Sequence, residues 1–175
     1  MFQIILNNGV KANIWIDEEP IVNSCECSKL ILEEKAKLYA DSRKLIVELF
    51  IPRAHSNYAL LGVDFLASEN NKVVVKLGIN NFNNKKFKNS LALSCDTVFL
   101  GIMDEFEEGI IHSIDKHMQE QSLPSGVINY NIFAYGEIGS SADMFKKVSD
   151  ILLSLLICNN INEFVLSKIL EENIQ

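Results

Sequence analysis

Three side chains in the second half of the sequence have the types and the spacing of an acid–base or metal site. Glu108, His112 and Asp115 stand at i, i+4 and i+7 in a segment whose apolar residues recur with helical spacing. One helix face would present two carboxylates and an imidazole, which can bind a divalent metal or exchange protons with a substrate. The alternative is a solvated face with a weakly stabilising Glu108–His112 pair. His117, further along, is expected at the surface or its boundary.

Two adjacent serines, Ser140 and Ser141, follow a glycine-containing turn and precede a strongly apolar segment. Ser140 and Asp143 have the spacing of a helix start, where a hydroxyl accepts a free N–H and a carboxylate suits the positive helix end. The amides of this turn could instead bind an anion. A third alternative is a nucleophile that pairs one serine with Lys146 or Lys147, which needs a desolvated lysine of lowered pKa. We predict that both hydroxyls serve as helix caps.

The four cysteines do not form a recognisable metal or redox motif. Cys25 and Cys27 are one residue short of the C-x-x-C spacing, and no second C-x-x-C answers them. We therefore expect reduced thiols and no bound metal. The N-terminus lacks the basic and apolar regions of a secretory leader, so the predicted location is cytoplasmic. No G-x-x-x-x-G-K-[ST] nucleotide loop occurs, and no cofactor is expected.

The composition predicts a globular protein and limits its partners. Hydrophobic residues make up 48% of the chain and charged residues 22%, which disfavours disorder. The net charge of −7 disfavours DNA as a partner, because DNA-binding proteins neutralise phosphates with clustered Lys and Arg. Lys85, Lys86 and Lys88 form a small local exception that could contact RNA. The longest apolar run, residues 151–158, is far shorter than the roughly 20 residues of a membrane span, so no membrane is expected as a partner.

The first half of the chain has the pattern of a β region. Asn8 and Gly9 lie between two alternating apolar runs and predict a tight hairpin turn. Residues 29–38 fit either a short helix or a strand. Four further apolar runs are predicted strands: 45–51, 57–67, 72–79 and 90–95. The polar residues between 57–67 and 72–79 predict that these two strands form a hairpin.

The second half has helical periodicity on either side of one strand. The pattern predicts a helix over 104–118, a strand over 127–135, a helix that starts at the double serine and a last amphipathic helix over 163–173. The predicted fold class is therefore α+β, with a mostly antiparallel sheet covered by two or three helices. The predicted units are a β-rich segment, residues 1–54, and an α+β segment, residues 55–175, which can also form one domain.

Several of these motifs together resemble a known family. Residues 104–111 are similar to an E-[YF]-x-x-x-x-G-I pattern shortened by two residues, residues 123–127 to a glycine- and proline-containing strand entry, and residues 140–141 with 145–146 to a double serine followed by Phe-Lys. About residues 55–157 thus resemble domain IV of translation elongation factor G and of ribosomal protection proteins. The resemblance implies a left-handed β-α-β crossover and the ribosome as a partner. The family's His-Asp pair before the double serine is missing here.

These observations favour a non-catalytic binding or assembly module that acts on a protein or ribonucleoprotein partner, or on a second copy of itself through the final helix. The alternative is a small enzyme with its site at Glu108, His112 and Asp115 or at the Ser140–Ser141 turn. The acidic balance of the chain weighs against direct binding to nucleic acid.

Overall fold

The computed structural model describes residues 1–20, 24–25, 27–79 and 85–174. In these residues eight β-strands form one sheet, and three α-helices share a hydrophobic core with it. The predicted α+β class is confirmed. Among the helices of the described ranges, none has the length and apolarity needed to cross a bilayer.

The elements follow each other along the chain with seven strands before the first helix. The strands are β1 (Phe2–Ile5), β2 (Lys11–Ile16), β3 (Ser28–Lys35), β4 (Arg43–Phe50), β5 (Tyr58–Ala67), β6 (Lys72–Gly78), β7 (Val98–Leu100) and β8 (Gly126–Gly136). The helices are α1 (Asp104–Gln119), α2 (Ala142–Leu156) and α3 (Glu163–Asn173). The segment that fitted either a helix or a strand is thus β3.

The strand order corrects the predicted pairing of residues 57–67 with residues 72–79. The sheet runs β1-β2-β4-β5-β8-β6-β3, with β7 paired to β8, so β8 lies between β5 and β6. The predicted β5–β6 hairpin is therefore wrong. The β6–β8 pair is parallel and is joined through α1, whereas the other strand pairs are antiparallel. This is a β-α-β crossover, whose left-handed sense stays a prediction.

The main core lies between one face of the sheet and the three helices. Alternate residues of the central strands point into it, as the period of two along a strand requires; in β5 these are Ala59, Leu61, Val63 and Phe65. The helices contribute to this core the apolar stripe of α2 and, on α3, Leu166 and Leu170. α2 packs directly over β4 and β5 and also contacts α1 and α3.

The second face of the sheet carries a smaller core that a loop covers. Ile46, Leu60 and Ile132 pack there against β7 and against the loop that precedes it. The loop includes residues 90–95, so the predicted strand at this position is wrong. One backbone N–H of this segment bonds a side chain instead of a strand: the buried carboxylate of Glu48 accepts the N–H of Leu91 at 2.7 Å.

The two units predicted from the sequence contribute to the same sheet. β3 belongs to residues 1–54 but pairs with β6, and β4 pairs with β5. At one end of the sheet, β3 and β5 finish and β6 and β8 begin. We call this the lower end of the sheet. Register places Lys35 opposite Lys72 and Ala67 opposite Gly126 there.

Candidate binding site

The predicted acid–base face of α1 is a solvated surface. Glu108, His112 and Asp115 are all exposed. His112 Nε2 lies 3.8 Å from Glu108 Oε1, the spacing of a loose i,i+4 pair between two exposed side chains. Within the described residues no three His, Cys, Asp or Glu side chains come together as a metal would require. The structure therefore places these three residues on one face without assembling a site.

The double serine has two different structural roles. Ser141 is the N-cap of α2, and its Oγ accepts the Met144 N–H at 3.3 Å. Ser140 does not cap the helix: its Oγ donates to the Tyr58 carbonyl oxygen at 2.7 Å and accepts the Gly136 N–H at 2.9 Å. The predicted cap at Ser140 is wrong because this hydroxyl closes the turn between β8 and α2 and ties it to β5.

The predicted Ser–Lys nucleophile is not assembled. Lys146 Nζ lies 2.9 Å from Asp150 Oδ2, and Lys147 Nζ lies 3.9 Å from Asp143 Oδ1. Lys146 is therefore held by a carboxylate on its own helix, at the i+4 position, rather than by a serine.

These roles predict that Ser140→Ala destabilises the protein more than Ser141→Ala. Loss of an N-cap typically costs about 1 kcal/mol. Ser140→Ala removes two hydrogen bonds from a half-buried turn, and we expect about 2 kcal/mol. The measurement is the free energy of unfolding from urea titrations of both variants. Equal losses, or a larger loss for Ser141→Ala, would show that the turn does not depend on Ser140.

The four cysteines are free thiols. Cys25 is half-buried, and burial raises its pKa to about 11, so the thiolate that metal binding and redox chemistry need is disfavoured at neutral pH. Cys27, two residues on, is exposed. The loop that covers the second face exposes three lysines, Lys85, Lys86 and Lys88. Exposure is the usual position of charged side chains.

A polar cluster that the sequence did not predict joins α1 to α2. Its centre is Asp150, a buried carboxylate on the apolar stripe of α2. Ser113 Oγ donates to Asp150 Oδ1 at 2.7 Å, and Lys146 Nζ to Oδ2 at 2.9 Å. Lys116 Nζ lies 3.5 Å from Oδ2, and His117 Nε2 lies 3.5 Å from Oδ1, too far for a good hydrogen bond. The cluster therefore fixes the two helices to each other.

The predicted position of His117, at the surface or its boundary, is wrong. The ring is buried, not at the surface, and its Nδ1 lies 2.7 Å from Ser122 Oγ. The backbone N–H of Ser122 bonds the His117 carbonyl, and the N–H of Gln121 bonds that of Met118, which is the Schellman pattern of a helix C-terminus. Helical periodicity contained the signal, because His117 lies three residues after Ile114 and seven after Ile110, both of which are buried.

A cavity of about 260 Å³ lies at the lower end of the sheet, beside the end of α1. Its lining combines the segment that follows β3 with the C-terminal turn of α1: Lys35, Ala36, Lys37, Met118, Gln121 and Leu123. Ala36 and Leu123 are buried and form an apolar floor. Among the described residues, the lining has two lysines and no carboxylate, so the cavity is apolar inside and positive at its rim.

Both lysines of this rim are available to a ligand. Lys35 and Lys37 are exposed, and within the described ranges neither has an ion-pair partner. Leu38 and Tyr39, directly after them, are also exposed. The rim thus offers positive charge and apolar surface side by side.

No protein-family model, no curated protein and no solved structure matches this chain. The resemblance to domain IV of elongation factor G therefore remains a prediction.

Proposed function

We propose that this chain is a non-catalytic binding module. Its ligand is a protein segment that inserts one large apolar side chain into the cavity beside α1 and places carboxylates against Lys35 and Lys37. The observation that carries this proposal is the lining of the cavity, an apolar floor with a rim of two lysines that have no ion-pair partner among the described residues.

The cavity has room for one large apolar side chain. Its volume of about 260 Å³ lies just below the lower end of the roughly 300–1,000 Å³ that small-molecule and cofactor sites usually enclose. One Phe, Leu or Met side chain fits in such a space, and an apolar anchor in a pocket with polar surroundings is the usual form of a binding hot spot.

The charge of the rim favours an acidic segment. Opposite charges around an interface steer association and select the partner, and like charges penalise the wrong one. The resemblance to domain IV of elongation factor G adds ribosomal proteins to the partners that can present such a segment, which keeps a ribonucleoprotein within the proposal.

The alternative of a small enzyme has weaker support. Among the described side chains the best-placed groups for chemistry are Ser122, His117 and Asp150, with the His117 ring in contact with both of the others. The Ser122 hydroxyl, however, also lies 3.1 Å from the His117 carbonyl oxygen, and Asp150 is already engaged by Ser113 and Lys146. Activation of a serine requires its base to be held by a third group in good geometry, and the 3.5 Å separation of His117 and Asp150 does not provide it.

A peptide selection tests the proposed function. Random dodecapeptides displayed on phage are selected for binding to the protein. The binding of the selected peptides to three variants is then measured. We expect enriched peptides with an apolar residue next to acidic ones, and at least about tenfold weaker binding to Lys35→Glu/Lys37→Glu because like charges then face each other. Ala36→Leu, which fills the cavity, should weaken binding as much without changing the charge.

The matched control is Lys11→Glu/Lys88→Glu, which changes the net charge equally at two exposed lysines outside the cavity. Binding to this control should equal binding to the original protein. Peptides that bind all variants alike would contradict the proposal.

A further inference from the structure

We propose that the segment bound in the cavity is the start of α3 from a second copy of this chain, so that two copies form a two-fold dimer through their lower ends. Phe164 of each copy enters the cavity of the other, and Glu163 faces Lys35 and Lys37. This inference rests on the proposed function and names its partner.

Phe164 is the most exposed of the large hydrophobic side chains described, at 79%. It lies in the first turn of α3, directly after Glu163, and the helix start is fixed by Asn162, whose Oδ1 accepts the Val165 N–H at 3.0 Å. Leu166 and Leu170 hold the same helix in the core. The helix therefore presents Phe164 to solvent from a rigid base, which limits the entropy lost on binding.

Phe164 and the cavity lie at the same end of the sheet. Arg43, the first residue of β4, donates through Nη1 to the Cys158 carbonyl oxygen at 2.9 Å, so α2 finishes and α3 begins at the lower end. The cavity follows β3 at that end. A two-fold axis through this end therefore brings each Phe164 to the partner's cavity, and the association closes at two copies.

Phe164 cannot enter the cavity of its own chain. α3 packs beside β1, and the cavity borders β3. These are the two outer strands of the sheet, six strand spacings apart, and at about 4.8 Å each the distance is about 29 Å. A second copy is therefore the occupant that this chain itself can supply.

The charges at the two surfaces are complementary. Glu163 is exposed beside Phe164, and the cavity rim has Lys35 and Lys37. Lys168, one helical turn after Phe164, has the same sign of charge as the rim lysines and disfavours the contact. Its Nζ lies 3.7 Å from Glu172 Oε1. The contact is small, and we expect a weak dimer with a dissociation constant of roughly 10 μM to 1 mM.

Sedimentation equilibrium of the full chain over that concentration range tests the dimer. We expect Phe164→Ala to raise the dissociation constant at least about tenfold, because two anchors are lost per dimer. The control is Ile138→Ala, which removes a similarly exposed apolar side chain from the turn before α2, at the opposite end of the sheet. It should leave the dissociation constant unchanged.

A charge exchange tests the orientation of the contact. Lys37→Glu and Glu163→Lys should each weaken self-association, since like charges then meet twice in each homodimer. An equimolar mixture of the two variants should dimerise about as well as the original protein, because one contact of the heterodimer is unchanged and the other has its charges exchanged. A mixture no stronger than either variant alone would overturn this pairing.

The results separate this inference from the proposed function. If the protein stays monomeric at all these concentrations while selected acidic–apolar peptides bind the cavity, the second copy is the wrong partner and the proposed function stands. If self-association persists in Phe164→Ala and the peptides do not depend on Lys35 and Lys37, both are wrong.

Discussion

Asp150→Asn should destabilise the protein by about 2–3 kcal/mol at neutral pH. The substitution keeps the shape of the side chain but removes the charge that holds Lys146 and Lys116 and a strong acceptor of the Ser113 hydroxyl. Hydrogen bonds to a buried charged group are typically worth about 1.5–3 kcal/mol. The full penalty of a broken buried ion pair is not reached here, because both lysines are partly exposed and can turn to water.

The measurement is the free energy of unfolding in urea, with Asp115→Asn as the control. Asp115 is exposed on α1, and a surface substitution of this kind usually changes stability by less than about 0.5 kcal/mol. A loss no larger for Asp150→Asn than for Asp115→Asn would show that the cluster does not join the helices.

The stabilisation by Asp150 should also depend on pH. Burial would raise the pKa of Asp150, but the nearby His117, Ser113 and Lys146 outweigh it and hold the pKa well below the ordinary value of 3.8. A lowered pKa in the folded state contributes stability that is present in full above the unfolded pKa and is lost as the pH falls through the folded pKa. The difference between the original protein and Asp150→Asn should thus be constant near neutral pH and shrink below about pH 4.

Gly109→Ala should destabilise the protein by about 3 kcal/mol or more. Alanine normally stabilises a helix by about 1 kcal/mol relative to glycine. Here a Cβ would lie 1.9 Å from the Ala142 carbonyl oxygen and 3.0 Å from the Lys146 backbone nitrogen. Both are backbone atoms that cannot rotate away, so α1 and α2 would have to move apart and lose their packing.

Thermal and urea denaturation of Gly109→Ala and of Glu108→Ala provide the comparison. Glu108 is the neighbouring residue on α1 and is exposed, so its replacement tests helix propensity without the contact. A variant Gly109→Ala as stable as Glu108→Ala would contradict the close approach of the two helices. A loss would also affect the proposed binding site, because α1 supplies Met118 to the cavity.

The predictions for Asp150 and Gly109 both concern the contact between α1 and α2, which we call the α1–α2 joint. This joint links stability to the proposed function. The joint includes His117 and Ser122, whose backbone and side chains form the turn between α1 and the cavity residue Leu123. Weakening the joint should therefore loosen the cavity even though none of the cluster's charged groups lines it.

The sequence by itself determined the elements and their class. Periodicities of 3.6 and 2 set the helices and most strands, because each element must bury one face whatever it packs against. The same local rules indicated the Asn8–Gly9 hairpin, in which Gly9 has φ 82°, and a helix start near the double serine. They also predicted a mostly antiparallel α+β fold, which the structure confirms.

Only the tertiary structure decided which elements became neighbours. β8 separates β5 from β6, although these two strands are joined by a short turn, because pairing on both edges of β8 is a long-range choice that local sequence does not encode. The roles of Ser140, His117 and Asp150 have the same origin, since their partners on other elements are 33 to 82 residues distant in sequence. His117 has a further partner, Ser122, in the turn that follows its own helix. The cavity beside α1 also depends on the tertiary structure, because its lining comes from two segments, residues 35–37 and 118–123, about 80 residues apart in sequence, which only the folded chain brings together.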